Sequence, residues 1–442
     1  MGRKGAKMYI LQTRPITTVK GPEKSVRKEA KGAFLKGIAA SPGTASGPVK
    51  IINSINETGK IVKGDILVAE MTSPDFVSTM NKCVAIITEK GGTTSHAAIV
   101  SREMGIPCVV GVKGATSSLK DGEVITVDGS TGAIYKGKSE IKSEKVVEKA
   151  VVVKKGKVKV YMNLGVPEKI DDYKDLPFDG IGLMRLEFII AGLGAHPVYL
   201  IENGMEGSYV EALSKNIEKV AAAVNPRPVV VRFSDFKTNE YKQLKGGDKY
   251  EPDEANPMLG WRGVSRYVSP EFEEAFRLEC RAVKKVRENY KNVWSMLPFV
   301  RTTEEVKRCL AIMEEEGLKR GKDFKVWIMA EVPSVIFLAS QFASLCDGFS
   351  IGSNDLTQFV LGVDRDSEVL SKLGYFDEQN AAVKTAIRHL IQQAHKSGCT
   401  VSICGQAPSE YPEFVHFLVK EGIDSISVNP DAVESTIKLV SD

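Results

Sequence analysis

Val326-Trp-Ile-Met-Ala-Glu-Val-Pro333 and, after one helix-length of chain, Gly348-Phe-Ser-Ile-Gly-Ser-Asn-Asp-Leu-Thr-Gln358 decide the fold. Each opens on a short apolar run of strand length, Val326–Glu331 and Gly348–Gly352, with too little alternation for a sheet wet on one face. Each then places acids and amides at or just past the strand's C-terminal end: Glu331 in the first, Ser353, Asn354 and Asp355 in the second. Working outward, six more such runs appear: Val158–Asn163, Gly180–Met184, Val229–Arg232, Trp294–Pro298, Thr400–Cys404 and Ser425–Val428. Amphipathic stretches separate many of them, among them Pro270–Asn289, Thr303–Glu316 and Ala381–Ser397. Eight alternating units of this size predict an α/β fold of the (β/α)8 TIM-barrel type over residues 158–442. A doubly wound sheet is the alternative; polar residues at the C-terminal ends of most strands favour the barrel, whose active sites lie there.

Upstream the texture changes. Residues 33–138 hold short β-rich runs punctuated by glycine, at Gly47–Ile52, Asp65–Ala69, Val84–Thr88, Cys108–Gly111 and Glu123–Val127. One clear helix interrupts them, from about His96 to Met104, with Gly105 and Pro107 as its stop signal. This predicts a compact swivelling β/α domain. Residues 139–157, rich in Lys, Glu and Val, read as a charged linker. Residues 1–32 hold a lone predicted strand, Met8 to Pro15, and a charged stretch, like the tail of another domain.

With 43% hydrophobic and 26% charged residues and a net charge of +4, the composition is ordinary globular. No run clusters Lys and Arg with aromatics, which argues against a nucleic-acid surface. No apolar run is long enough to span a bilayer, and no signal peptide is visible. Seven cysteines without C-x-x-C spacing fit a reduced, cytoplasmic protein better than a disulfide scaffold or a zinc site.

Two constellations carry chemistry. The first is Lys90-Gly-Gly-Thr-Thr-Ser-His-Ala-Ala-Ile-Val-Ser-Arg-Glu-Met-Gly-Ile-Pro107. Two glycines permit a tight turn, Thr94 and Ser95 are natural N-cap residues, and His96 falls in the first helical turn. Free N–H groups and the helix dipole make an anion site there and favour a neutral, nucleophilic imidazole. The second gathers at strand ends. Arg185 and Arg232 suit a phosphate or carboxylate through bidentate bonds. Glu331 and Asp355, at the tips of adjacent strands, suit one Mg²⁺, which takes one or two carboxylates and completes its shell with substrate and water. Asn354 can donate to a phosphate, and Arg365 is a further phosphate candidate. Cys404, before the Gly-Gln-Ala-Pro turn, can move a proton at a methyl carbon. Read alone, this is Mg²⁺-dependent chemistry on a small phosphorylated or enolisable carboxylate.

The His96 segment resembles the phosphohistidine signature of the phosphoenolpyruvate-utilising enzymes, and residues 158–430 resemble their barrel domain. The resemblance implies that His96 carries phosphate, that Arg185 and Arg232 hold substrate, and that Glu331 and Asp355 bind Mg²⁺. It also implies that Gly352, Ser353 and Asn354 contact substrate and that Cys404 donates a proton. Arg232-Phe-Ser-Asp-Phe-Lys-Thr-Asn-Glu-Tyr241, Asn256-Pro-Met-Leu-Gly-Trp-Arg-Gly263 and Cys404-Gly-Gln-Ala-Pro-Ser409 are most similar to the synthase branch. That branch converts ATP, pyruvate and water to AMP, phosphoenolpyruvate and phosphate. Tyr9-Ile-Leu-Gln-Thr-Arg-Pro15 resembles the last strand of its ATP-grasp domain, so the chain reads as the part that follows that domain, covering the pyruvate half-reaction. The Arg185–Arg232 interval is shorter than is typical of bacterial members. The resemblance leaves two rivals, pyruvate phosphate dikinase and the Enzyme I type of phosphocarrier. The latter would need a helical insert, and none is visible in residues 33–138. A non-catalytic pyruvate-sensing module would be expected to lack His96, Cys404 or a metal carboxylate. Related barrels self-associate, which implies a homo-oligomer.

Overall fold

The structure is a computed structural model, which describes residues 2–4, 7–9, 32–72, 76–92, 95–139, 156–365, 367, 369–370 and 373–441. Strand β1 (Gly2–Lys4) pairs antiparallel with β2 (Lys7–Tyr9). The segment expected to lack a partner therefore has one just upstream, whose backbone groups satisfy its own. Residues 10–15 of that expected strand, most of the remainder of 1–32, and 140–155 of the expected linker lie outside the described residues.

The first domain is a mixed sheet of eight strands: β3 (Leu35–Lys36), β4 (Ile38–Ser41), β5 (Thr44–Ile52), β6 (Ile66–Ala69), β7 (Ala85–Thr88), β8 (Cys108–Val110), β9 (Val124–Asp128) and β10 (Ala133–Lys136). Their order is β3-β10-β9-β5-β6-β7-β8-β4. The expected helix is present as α1 (His96–Met104), and its C-cap Gly105 adopts φ 58°. Only a residue without Cβ takes that left-handed turn at no cost.

The second domain is a closed, all-parallel barrel of β11 (Lys159–Leu164), β12 (Gly180–Arg185), β13 (Val229–Arg232), β14 (Val293–Leu297), β15 (Val326–Ala330), β16 (Gly348–Ile351), β17 (Thr400–Ile403) and β18 (Ser425–Val428). Around it lie, among others, α2 (Glu187–Leu193), α3 (Glu206–Val224), α4 (Glu273–Asn289), α5 (Thr303–Glu315), α6 (Ser353–Leu361), α7 (Ala381–Lys396), α8 (Pro412–Lys420) and α9 (Val433–Ser441). The start of α4 lies three residues beyond the expected Pro270, because Ser269–Phe272 forms a turn first. Helix α5 begins as expected: Thr302 and Glu305 form a reciprocal capping box.

The barrel core has two layers, and the two-residue period of a strand sorts side chains between them. Val229 and Val231 face the helices, whereas Val230 joins Tyr161, Leu183, Met296, Trp327, Met329 and Cys404 inside the barrel. Two residues beyond an inward residue the chain again points inward, now at the open C-terminal end. Leu183 thereby aims Arg185, Val230 aims Arg232, and Met329 aims Glu331.

Candidate active site

His96 is the first residue of α1, behind Ser95 at the N-cap. Ser95 holds the cap by its extended backbone alone; its buried hydroxyl makes no cap bond. Thr94 lies outside the described residues. Gly91 has φ 105°, and a Cβ there would lie 2.8 Å from Ser95 Oγ, so the turn ahead of the histidine requires glycine. His96 Nδ1 lies 2.9 Å from Thr72 Oγ1. In the tautomer whose Nδ1–H donates to that hydroxyl, the lone pair sits on Nε2.

The first domain sits on the mouth of the barrel. Arg102 Nη1 of α1 meets Glu410 Oε1 at 2.7 Å, with both side chains mostly buried. Lys169 Nζ bonds the carbonyl of Gly105. Phe188, on α2 of the barrel domain, belongs to the apolar cluster of Phe76, Met80, Ala97, Ala98, Val100 and Met104. His96, Arg185, Arg232, Glu331, Gly352, Asn354, Asp355, Arg365 and Cys404 thus line one cavity of about 160 Å³. Of the residues expected at the site, Ser353 alone stands outside that lining. It is fully buried, and its hydroxyl donates to Glu378.

Charge is tightly organised there. Arg232 Nη2 donates to Glu187 Oε1 at 2.5 Å, and Glu187 also accepts from the N–H of Asp235. Arg262 is bidentate to Asp235, at 3.0 and 2.6 Å, and reaches Asp355 Oδ2 at 3.2 Å. Arg365 Nη1 lies 3.0 Å from Asp355 Oδ1. Glu331 Oε1 accepts from the N–H of Phe299, a residue held at φ 50° whose ring stacks under Arg262. Burial, then the neighbouring carboxylates Asp355 and Asp235, push Glu331 up to about 8. Burial would raise Asp355 too, but Arg365, Arg262 and Lys237 prevail and hold it well below the usual carboxylate range. Asp355 therefore stays ionised, and a cation beside the pair would draw the proton from Glu331.

Two buried hard-oxygen ligands at adjacent strand ends fit Mg²⁺. A Cβ at Gly352 would lie 2.8 Å from Glu331 Oε2, so glycine keeps room beside that carboxylate. Among the described residues no group of three or more such side chains is found, so substrate and water would complete the shell.

Cys404 is buried at the end of β17, its Sγ 3.6 Å from the carbonyl of Ile351. Burial pushes its thiol up, more than Ser350, Arg232 and Arg185 lower it. The group is thus a protonated thiol at neutral pH, suited to donate rather than accept. An amide chain holds the turn: Asn429 donates to Gln406 Oε1, and the Gln406 N–H donates to Asn354 Oδ1.

Sequence reasoning missed Thr72, Glu187, Asp235 and Arg262. Arg262 and Asp235 stood inside quoted segments, Glu187 lies two residues past Arg185, and the reciprocal spacing of acid and base across two strand ends was the available signal. Nothing local marks Thr72, which reaches His96 from a loop of another strand.

Residues 139–442 match the family model for the phosphoenolpyruvate-binding domain of phosphoenolpyruvate-utilising enzymes, and residues 61–132 match the model for their mobile domain. The chain belongs to the phosphoenolpyruvate-utilising enzymes. It is 57% identical to the phosphoenolpyruvate synthase of Aeropyrum pernix, over 96% of this chain and 55% of that protein. It is 57% identical to a probable phosphoenolpyruvate synthase of Staphylothermus marinus, over 96% of this chain and 53% of that one. Identity to the Escherichia coli phosphoenolpyruvate synthase is 45%, over 97% of this chain and 57% of the relative. The chain thus spans about half the length of the curated relatives it matches. Among the described residues no helix is long and apolar enough to cross a membrane.

Proposed function

We propose that this chain moves a phosphoryl group between His96 and pyruvate, forming or consuming phosphoenolpyruvate. The observation that carries the reading is that His96 and the strand-end arginines, carboxylates and thiol of the barrel line the same cavity. Arg185, Arg232 and Arg365 bind the phosphate and carboxylate of the substrate, and Asn354 orients it. Cys404 gives its proton to the methylene carbon of phosphoenolpyruvate as pyruvate forms, and takes it back in the other direction. Thr72 fixes the ring so that Nε2 faces the phosphorus. Glu331 and Asp355 would hold Mg²⁺, which supplies charge neutralisation at the phosphate and developing oxyanion. Positioning and electrostatics do most of the work in such a transfer.

In the whole protein the parent reaction we infer is ATP + pyruvate + water to AMP + phosphoenolpyruvate + phosphate, with ATP handled by a further ATP-grasp domain. Residues 33–138 would carry the histidine and 158–442 the substrate, joined by 139–157. A cytoplasmic setting and self-association complete the reading; light scattering that shows only a 48.2 kDa species would remove the latter.

The direct test is incubation with phosphoenolpyruvate and Mg²⁺. An acid-labile phosphate on the intact protein, with pyruvate released, is expected, and both disappear in His96→Ala. Pyruvate release that persists in His96→Ala would refute the reading.

A further inference from the structure

We propose that Cys346 and Cys399 form a disulfide-competent pair, a covalent modification site at the closed end of the barrel. Their sulfurs lie 3.6 Å apart. Both residues are 4% exposed. Cys346 lies two residues before β16 and Cys399 one residue before β17, and these strands pair directly, with Gly348 opposite Thr400. The thiols therefore sit side by side in the turns that feed two neighbouring strands, on the face opposite the cavity. A disulfide holds its sulfurs about 2.05 Å apart, so closure needs an approach of about 1.5 Å. Gly398, at φ 71° just before Cys399, marks a turn rather than a rigid strand interior.

The oxidant class is a small peroxide. One thiolate attacks the peroxide O–O bond, becomes a sulfenic acid and releases water. The neighbouring sulfur then displaces the sulfenic oxygen as a second water and closes the S–S bond. Two thiols lose two electrons, and one hydrogen peroxide gains them. Burial, and then contact with Cys399, push the Cys346 thiol up, so thiolate is scarce at neutral pH and closure is slow there. The bridge spans 53 positions. That loop contains Gly352, Asn354, Asp355 and Arg365, so the bond would restrict the unfolding of that part of the cavity wall without touching it.

The test is peptide mapping of the full chain after dilute hydrogen peroxide, denaturation and alkylation, with and without dithiothreitol. Expected are a dithiothreitol-sensitive peptide joining residues 346 and 399, two fewer alkyl groups, and a melting temperature about 5 °C higher. Cys399 and Cys404 share the stretch from Ser397 to Lys420, so fragment-ion sequencing places the link at Cys399 and assigns any oxygen at Cys404 separately. Cys346→Ala and Cys399→Ala are each expected to lose both the cross-link and the melting shift. Because the central readout uses the unaltered protein, a variant that fails to fold does not blunt it. If peroxide leaves both cysteines alkylatable, or oxygenates them singly without a cross-link, the proposal is wrong.

Discussion

Truncating Phe188 to alanine isolates the docking of the histidine domain. Phe188 is carried by the barrel domain, yet it is 7% exposed because it packs among residues of the histidine domain. When the domains part, that ring meets water and the barrel keeps its own core. Full burial of a phenylalanine is worth about 1.5–3 kcal/mol. Taking about 2 kcal/mol, the variant lowers the docking equilibrium by roughly thirtyfold. Rapid-quench measurement of His96 phosphorylation by phosphoenolpyruvate should show a fall of that order. Exchange of the pyruvate methyl protons with deuterated water, which needs the barrel's own groups but not His96, should stay within about twofold of the unaltered protein. Phosphorylation at the original rate would refute the reasoning. So would an equal fall in exchange, since the ring would then act through Arg185 and Glu187 instead.

Three further outcomes follow from the site and its supports. Gly352→Ala places a carbon 2.8 Å from Glu331 Oε2; phosphorylation should drop by at least about a hundredfold while the melting temperature changes little, as a stopped assay and calorimetry would show together. Thr72→Val removes the hydroxyl at His96 Nδ1; single-turnover phosphorylation should slow by about tenfold, with pyruvate proton exchange unchanged. Glu279 is buried and accepts from the N–H and hydroxyl of Ser234 and from Tyr209. Burial raises it to about 7, against about 4.5 in the unfolded chain. A raised carboxyl favours the fold fully below the lower value, and that favour is lost as pH rises through the upper one. Melting temperature should therefore fall between about pH 4.5 and 7, and Glu279→Gln should flatten that fall in calorimetry run across the window.

The barrel was legible because its strands are uninterrupted apolar runs with polar ends, a pattern that parallel, doubly covered strands impose. Arg185, Arg232 and Glu331 were legible for the same reason: each lies at a strand end, two residues past a side chain that fills the barrel. What the sequence hid depends on distances between segments far apart in the chain. Ser353 was read with its neighbours as a substrate contact, but the first turn of α6 rotates its hydroxyl away from the cavity onto Glu378. Thr72 and Phe188 gain meaning only once the two domains are placed together. The early hairpin was missed because the lone strand's partner, β1, is charged and short, with no apolar pattern of its own.

The charge around the cavity has a further consequence. Its walls carry five cationic side chains, Arg185, Arg232, Lys237, Arg262 and Arg365, against four charged carboxylates, Glu187, Asp235, Glu240 and Asp355, with burial holding Glu331 largely neutral. A mouth so nearly matched casts little field into solvent, and distant anions feel only a weak pull toward it. Nucleotides, free phosphate and acidic surfaces are not drawn in by sign alone. Recognition is left to ligands that can break these internal pairs and replace every contact they break. Arrival rates at such a mouth are nearly indifferent to salt, and discrimination among phosphorylated acids falls to shape at close range.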